Sequence, residues 1–242
     1  MVTCAPMQWY FDQIDALHDI EAVLRFAREI CVKQGVVRMS YHVTPPFDGP
    51  TSSTTVVYTE GFSAEWLEMY EQEEFRASDP IPRRVMQSGS MMSWADAIAA
   101  GPNTPENEAY FAAMRQFGLI HGIGVPLYGP RGRAAYASFD FDRPVPELSD
   151  DQLGTVRSVA QAGHQRICIL IDESSDTPSL SEREIEVLTW AARGKSVGAI
   201  ATILGLSPDT VKTYSKRIYA KLDVTDRVGA VVKALRLGLV RV

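Results

Sequence analysis

Cysteine is scarce and scattered in this chain: three in 242 residues, Cys4, Cys31 and Cys168, far apart and without a CxxC pair. Disulfide frameworks and structural zinc sites both need clustered or paired thiols, so neither is expected, and these cysteines read as reduced thiols. Long apolar runs are missing too. No stretch of 18 apolar residues occurs, and the N-terminus has no charged-then-apolar signal segment, so a soluble, cytoplasmic protein with no membrane partner is expected. Histidine is limited to His18, His42, His121 and His164. Their spacing suits no metal, and all four read as structural or surface residues. There is also no glycine-rich loop of the kind that cradles phosphate. Asp79 and His121 are the available acid and base, but nothing places a nucleophile or metal beside them. No metal, no cofactor and no enzymatic activity are therefore expected.

Positive charge is in short supply until the chain nears its end. The last 66 residues carry 11 Lys and Arg against 6 Asp and Glu, a net +5, while the first 176 carry 13 against 24, a net −11. An acidic body with a small basic module is the asymmetry expected when one module alone meets phosphate, although uneven surface charge gives the same numbers. The polar stretch 172–179 reads as a linker, which divides the chain into residues 1–171, the linker 172–179 and residues 180–242.

Helical and strand patterns alternate in the first part. Apolar spacing predicts helices over roughly Asp12–Lys33, Ser63–Glu74 and Pro105–Phe117, the last opened by the cap Thr104 and Pro105. Val36–Val43, Thr54–Thr59, Gly122–Tyr128 and Arg133–Phe141 read as strands, the last two joined as a hairpin through Gly129–Gly132. Ser149-Asp-Asp-Gln152 is a capping box that starts a long helix toward Ile171, with Leu153, Val156, Val159, Ala160, Gly163 and Ile167 inward. The whole is an α+β chain: an N-terminal α/β/α sandwich around an antiparallel sheet, followed by an all-α four-helix module.

In that module Ser181-Glu-Arg-Glu184 forms a capping box and Gly194 stops the first helix. Ser196 caps a second, short helix that ends at Gly205. Ser207-Pro208 opens a third helix through Leu222, with Val211, Ile218 and Leu222 on its apolar side. A fourth helix runs from about Thr225 to Leu237, with Val228, Val231, Val232 and Leu235 apolar. A short helix, the turn Gly205-Leu206-Ser207 and a polar helix make a helix-turn-helix pattern. Ser207, Thr210, Lys212 and Thr213 lie where a recognition helix meets double-stranded DNA, and Lys216, Arg217 and Lys221 continue its basic face. A solvated helical bundle has a similar charge pattern.

Leu180-Ser-Glu-Arg-Glu-Ile-Glu-Val-Leu188, Trp190-Ala-Ala-Arg-Gly-Lys-Ser196 and Ile203-Leu-Gly-Leu-Ser-Pro-Asp-Thr-Val-Lys212 resemble the LuxR-type C-terminal domain across Leu180–Val240. Its hallmark positions hold Glu184, Leu188 and Gly194 here, which the resemblance assigns to capping, core packing and a helix stop. Gly198, Tyr214 and Arg217 depart from the common residues. Upstream, Trp66, Tyr70, Asp79-Pro80, Trp94 and Gly122 fall at the spacing of the autoinducer-binding domain of quorum-sensing regulators, over roughly residues 10–171. The resemblance implies an acyl-homoserine lactone ligand and a homodimer that presents two recognition helices to a pseudo-palindromic promoter site.

The residue types suit such a ligand. Trp66 and Tyr70 stand four apart on one helix face, and their indole N–H and phenol O–H suit the lactone and amide carbonyls. An ionised Asp79 only accepts, which suits the single amide N–H, and Pro80 disfavours helical geometry at Asp79 and helps hold its carboxylate at a bend. Trp94 offers a flat wall to the lactone ring. Ser138 matches a polar pocket position of the family, and Phe62 replaces a tyrosine of some relatives, losing a hydroxyl. Each residue also has a plain reading: aromatics at that spacing fill cores, Asp-Pro makes turns, and serines sit at sheet edges. An orphan regulator, independent of ligand or sensing another small molecule, stays open. A phosphorylated receiver is disfavoured, because the early acidic pair and strand-end Asp it needs are absent.

Overall fold

The computed structural model describes residues 6–43, 56–174 and 178–240. The chain falls into two compact units, Met1–Glu173 and Ser174–Val242.

The first unit runs α1 (Met7–Asp15), α2 (Ile20–Lys33), β1 (Val36–Val43), β2 (Val56–Glu60), α3 (Ala64–Glu71), α4 (Glu73–Ala77), α5 (Ile81–Ser88), β3 (Met92–Ser93), α6 (Trp94–Ala99), α7 (Pro105–Gln116), β4 (Gly122–Tyr128), β5 (Ala134–Phe141) and α8 (Asp150–Ser174). The five strands form one antiparallel sheet in the order β2-β1-β5-β4-β3. Alternation of side chains along the strands gives the sheet two faces of different character. Met39, Tyr41, Ile123, Val125, Leu127, Ala137 and Phe139 point to one face, where Val23 and Cys31 of α2 and Val156, Ala160 and Ile167 of α8 close an apolar core. The opposite face carries Ser40 and His42 of β1 and Tyr136 and Ser138 of β5, all buried. Residues of α3, α5, α6 and α7, among them Trp66, Val85, Trp94 and Phe111, pack over it. This is the α/β/α sandwich expected from the sequence.

Several element boundaries differ from the expectation. The helix expected over Asp12–Lys33 is two helices, because Asp19 takes extended backbone and its side chain accepts from Ala22 N–H, capping α2. The helix expected over Ser63–Glu74 breaks at Gln72, whose extended backbone ends α3 and starts α4. The expected strand over Thr54–Thr59 is β2, and its first two positions lie outside the described residues. Helices α5 and α6 and the two-residue β3 were not expected. The Ser149 capping box forms, with Ser149 Oγ accepting from Gln152 N–H at 3.2 Å and Gln152 Oε1 from Ser149 N–H at 3.1 Å. Yet α8 continues to Ser174, so the first three positions of the expected linker are helical. Asp172 there is ion-paired with Arg133, which anchors that last turn to the sheet.

The second unit holds α9 (Glu182–Ala192), α10 (Val197–Leu204), α11 (Pro208–Lys221) and α12 (Arg227–Arg236). Each start has the cap that its sequence offers: Ser181, Ser196, Ser207 and Asp226 all accept backbone N–H groups with their side chains. Gly194 and Gly205 take left-handed backbone at φ 77° and 65°, where a Cβ is disfavoured, and so end α9 and α10. Leu188, Ile200, Val211, Ile218, Leu222, Ala230 and Ala234 form the core. The expected apolar face of α12 is only partly inward: Val231 and Leu235 are half-buried, but Val228 is 71% and Val232 42% exposed. The small Ala230 and Ala234, one turn apart, make the close contact instead. No described helix is long and apolar enough to cross a membrane, and no described cluster of three His, Cys, Asp or Glu could hold a metal.

Candidate functional site

On the polar face of the sheet lies a cavity whose lining includes Phe62, Trp66, Tyr70, Asp79, Trp94 and Ser138, the six residues singled out from the sequence. Helix α3 delivers Trp66 and Tyr70, and Phe62 stands just before its cap. Ser63 caps it, and the four-residue spacing stacks Trp66 on Tyr70 with ring centroids 6.0 Å apart and planes 26° from parallel. Asp79 arrives from the loop between α4 and α5. Its Oδ1 accepts at 2.9 Å from the N–H of Ile81, the first residue of α5, with Pro80 as the residue that precedes the helix. Trp94 stands at the start of α6, capped by Ser93. Its ring lies so close to β4 that a Cβ on Gly122 would come within 2.2 Å of it. Gly122 is therefore a packing requirement for Trp94, through close approach alone.

Sequence reasoning missed part of the lining. Tyr110 of α7 donates to Asp79 Oδ2 at 2.9 Å, a shorter bond than that from Tyr70 at 3.3 Å. Tyr110 gives no local signal, because only the fold brings α7 across the cavity. The Tyr70 hydroxyl, expected to serve a ligand carbonyl, is committed to Asp79 in this structure. His42, read as structural or surface, lines the cavity instead. Its Nε2 is 2.8 Å from Ser40 Oγ, which is 2.7 Å from Ser138 Oγ. The period-two pattern Ser40, His42 on β1 facing Ser138 on β5 was available as a signal, but strand pairing was needed to see it.

The electrostatics follow from burial. Desolvation raises the Asp79 carboxyl to about 6, against the pull of Ile81 N–H and the two tyrosine hydroxyls. The same burial, with Asp79 nearby, drives Tyr70 and Tyr110 well above the usual phenol range. His42 is pushed down to about 3 by burial and by Arg76, so its ring is neutral. A carboxylate offers about four acceptor positions. Three are filled by Ile81 N–H, Tyr70 and Tyr110, which leaves capacity for one further donor.

In the second unit the helix-turn-helix pair is α10 and α11. Lys212, Thr213, Lys216 and Arg217 are exposed along one side of α11, opposite the buried Val211, Ile218 and Leu222. Ser207 and Thr210 meet at the cap, their hydroxyls 2.8 Å apart. Thr213 donates to the Asp209 carbonyl at 2.9 Å, and Lys212 to the Asp209 carboxylate at 3.0 Å. Lys221, expected on the DNA-facing surface, is exposed, but its ammonium is engaged within the unit. Its ammonium donates to Glu184 Oε2 at 2.7 Å and to the Ser179 carbonyl at 3.0 Å. Glu184 is buried and also accepts from Ser181 N–H at 2.7 Å. Burial alone would raise its carboxyl, but the bonds from Lys221 and Ser181 outweigh that and hold it below its ordinary value. Arg227 was not singled out, yet it donates to the Ala191 and Lys195 carbonyls and ties α12 to the end of α9.

A cavity with a buried carboxylate in one unit and a helix-turn-helix with an exposed basic face in the other define a small-molecule-responsive DNA-binding regulator. Residues 19–167 match the autoinducer binding domain, and residues 178–234 match the bacterial regulatory proteins of the luxR family. The chain belongs to the LuxR family of quorum-sensing transcription regulators. It is 34% identical over 185 residues to the quorum sensing-dependent transcriptional regulator RpaR of Rhodopseudomonas palustris, covering 75% of this chain and 74% of RpaR. To the quorum-sensing regulator RhlR of Pseudomonas aeruginosa it is 28% identical over 234 residues, covering 94% and 93%. The crystal structure of Escherichia coli SdiA matches with a TM-score of 0.75 at 26% identity, over 96% of this chain and 97% of that one.

Proposed function

We propose that the cavity binds an N-acyl-homoserine lactone and that the bound protein acts as a cytoplasmic homodimer, setting two α11 helices into a pseudo-palindromic DNA site. The observation that carries the reading is the spare acceptor capacity of Asp79, a buried carboxylate in a chamber of aromatic rings. A single amide N–H is the donor it lacks. Trp66, whose indole only donates, serves the lactone carbonyl, and Trp94 walls the ring. With Tyr70 engaged by Asp79, Ser138 becomes the hydroxyl donor for the amide carbonyl. Phe62 contributes apolar lining. On DNA, Lys212, Lys216 and Arg217 reach phosphate, while Thr210, Thr213 and Ser207 lie at the helix start where base edges and backbone are met. Two-fold symmetry asks for half-sites about one helical turn apart. The domain boundaries that fit this division of labour are residues 1–171, a linker at 172–179 and residues 180–242, with α8 extending three residues into the linker.

Calorimetric titration with lactones of four to twelve acyl carbons tests the ligand. At least one is expected to bind wild type, and Asp79→Asn or Trp66→Phe to weaken it about tenfold or more, since a buried group left unpaired costs about 1–3 kcal/mol. If no lactone binds, or if both variants bind as wild type does, the reading is wrong.

A further inference from the structure

The ligand cavity contains a polar group that the lactone head does not use. His42 is 3% exposed and lines the cavity, and its Nδ1 has no hydrogen-bond partner among the described residues. A buried ring nitrogen without a partner is rare, because leaving it unpaired forfeits hydrogen bonding that water would supply. Its other nitrogen belongs to a fixed relay, His42 Nε2 to Ser40 Oγ to Ser138 Oγ, at 2.8 and 2.7 Å. All three residues are at least nine-tenths buried. The opposite wall supplies nothing for Nδ1. Tyr136 and Tyr70 meet the imidazole edge-to-face, their centroids 5.2 and 6.2 Å away, with ring contacts and not hydrogen bonds.

The relay has a direction. Each serine hydroxyl has one hydrogen to give. Ser138 gives its hydrogen away from Ser40, to the ligand amide carbonyl in the reading above, and so accepts from Ser40. Ser40 then accepts from His42 Nε2–H. A neutral imidazole with its hydrogen on Nε2 presents a bare lone pair at Nδ1. We propose that His42 is a specificity-determining residue that accepts a hydrogen bond from a hydroxyl on the acyl part of the lactone. A plain alkanoyl chain leaves the lone pair unpaired, and an oxo group sets a second acceptor against it. The inference rests on the lactone reading of the same cavity.

The test uses the full-length protein and the acyl length that wild type binds best. Calorimetry compares the plain lactone with versions carrying one hydroxyl at carbon 3, at the terminal carbon or between them, and with the 3-oxo version. At least one hydroxylated lactone is expected to bind wild type about tenfold more tightly than the plain one, with the 3-oxo compound no better than plain. In His42→Leu the order inverts, because the plain chain gains an apolar wall and the hydroxyl loses its acceptor. His42→Gln, which keeps an acceptor, restores part of the preference. If His42→Leu does not fold, wild type and His42→Gln decide between them. Lactone binding with no hydroxyl preference at any position, or with 3-oxo above hydroxyl, overturns this inference and leaves the lactone reading standing. Failure of every lactone to bind wild type overturns both.

Discussion

At the scale of single residues, Asp79 governs how the cavity responds to pH. Its carboxyl is raised to about 6, first by burial, which its three hydrogen bonds only partly offset. The raised value makes the ionised form costly in the folded protein. Stability from this group is full below its unfolded value near 4 and is lost as pH rises through about 6, on the order of 2–3 kcal/mol. A donor from the ligand works against that preference, because an amide N–H bonds the ionised carboxylate more strongly than the neutral acid. Lactone affinity should therefore fall about tenfold between pH 7 and pH 5, following the ionised fraction of a group titrating near 6. Titration calorimetry at the two pH values, in buffers of different ionisation heat, checks both the affinity and the proton released. Affinity that is flat over this range would mean Asp79 does not meet the ligand as a carboxylate. Asp140, also raised to about 6 by burial against its 2.8 Å pair with Arg38, lies outside the cavity lining and adds a background stability slope. Asp79→Asn separates the two, since it should remove only the part that belongs to the cavity.

Individual elements show which parts of a sequence speak for themselves. Helix caps are local, and Thr104, Ser149, Ser181, Ser196 and Ser207 each cap the helix expected of them. The strands of the hairpin also stand where alternation put them. What local pattern could not show was any bond that crosses the fold. Asp19 is a local cap too, but it and Gln72 sit in runs whose apolar spacing continues smoothly through them, and that spacing hid the breaks. Tyr110 reaches Asp79 across 31 positions, and Lys221 reaches Glu184 across 37. On α11 the second of these divides a basic helix that looks uniform in sequence. Lys212 and Lys216 face solvent, while Lys221, exposed itself, neutralises a buried carboxylate. Their substitutions should separate cleanly. Lys212→Ala with Lys216→Ala should leave the melting of this unit nearly unchanged and flatten the salt dependence of DNA affinity by about two phosphate contacts per protomer, about four for the proposed dimer, roughly 0.9 in log–log slope for each. Lys221→Ala should do the opposite, costing about 1–3 kcal/mol of stability, reduced because the lysine is partly exposed, with the salt slope kept. Filter binding on DNA recovered by in-vitro selection, together with urea melts, distinguishes them. A Lys221→Ala slope change as large as that of the double variant would return Lys221 to the DNA surface.

For the whole molecule, the distribution of apolar contacts dictates how it should unfold. The first unit closes apolar cores on both faces of its sheet, and a third cluster beneath α1 that joins Tyr10 and Ile14 to Ile30 and Val159. The second unit closes a core of its own around Val211 and Ile218. A unit with its own core has its own cooperative transition, so calorimetric scans of the full chain should resolve two. The cavity is lined only by residues of the first unit, so a ligand that binds it has differential affinity for the folded and unfolded forms of that unit alone. At about 100 times its dissociation constant a lactone adds about 2.7 kcal/mol. For a unit of this size, that raises its midpoint by roughly 5–11 °C and leaves the other transition where it was. At the same lactone concentration Asp79→Asn, binding about tenfold more weakly, should cut the shift by about half or more without moving the second transition. A regulator in which ligand holds the two units together would behave differently: both transitions would rise together, or merge into one. That outcome would place the coupling between sensing and DNA binding in contact between the units. Two transitions, only one of them responsive, would place it in a change within the ligand-binding unit itself.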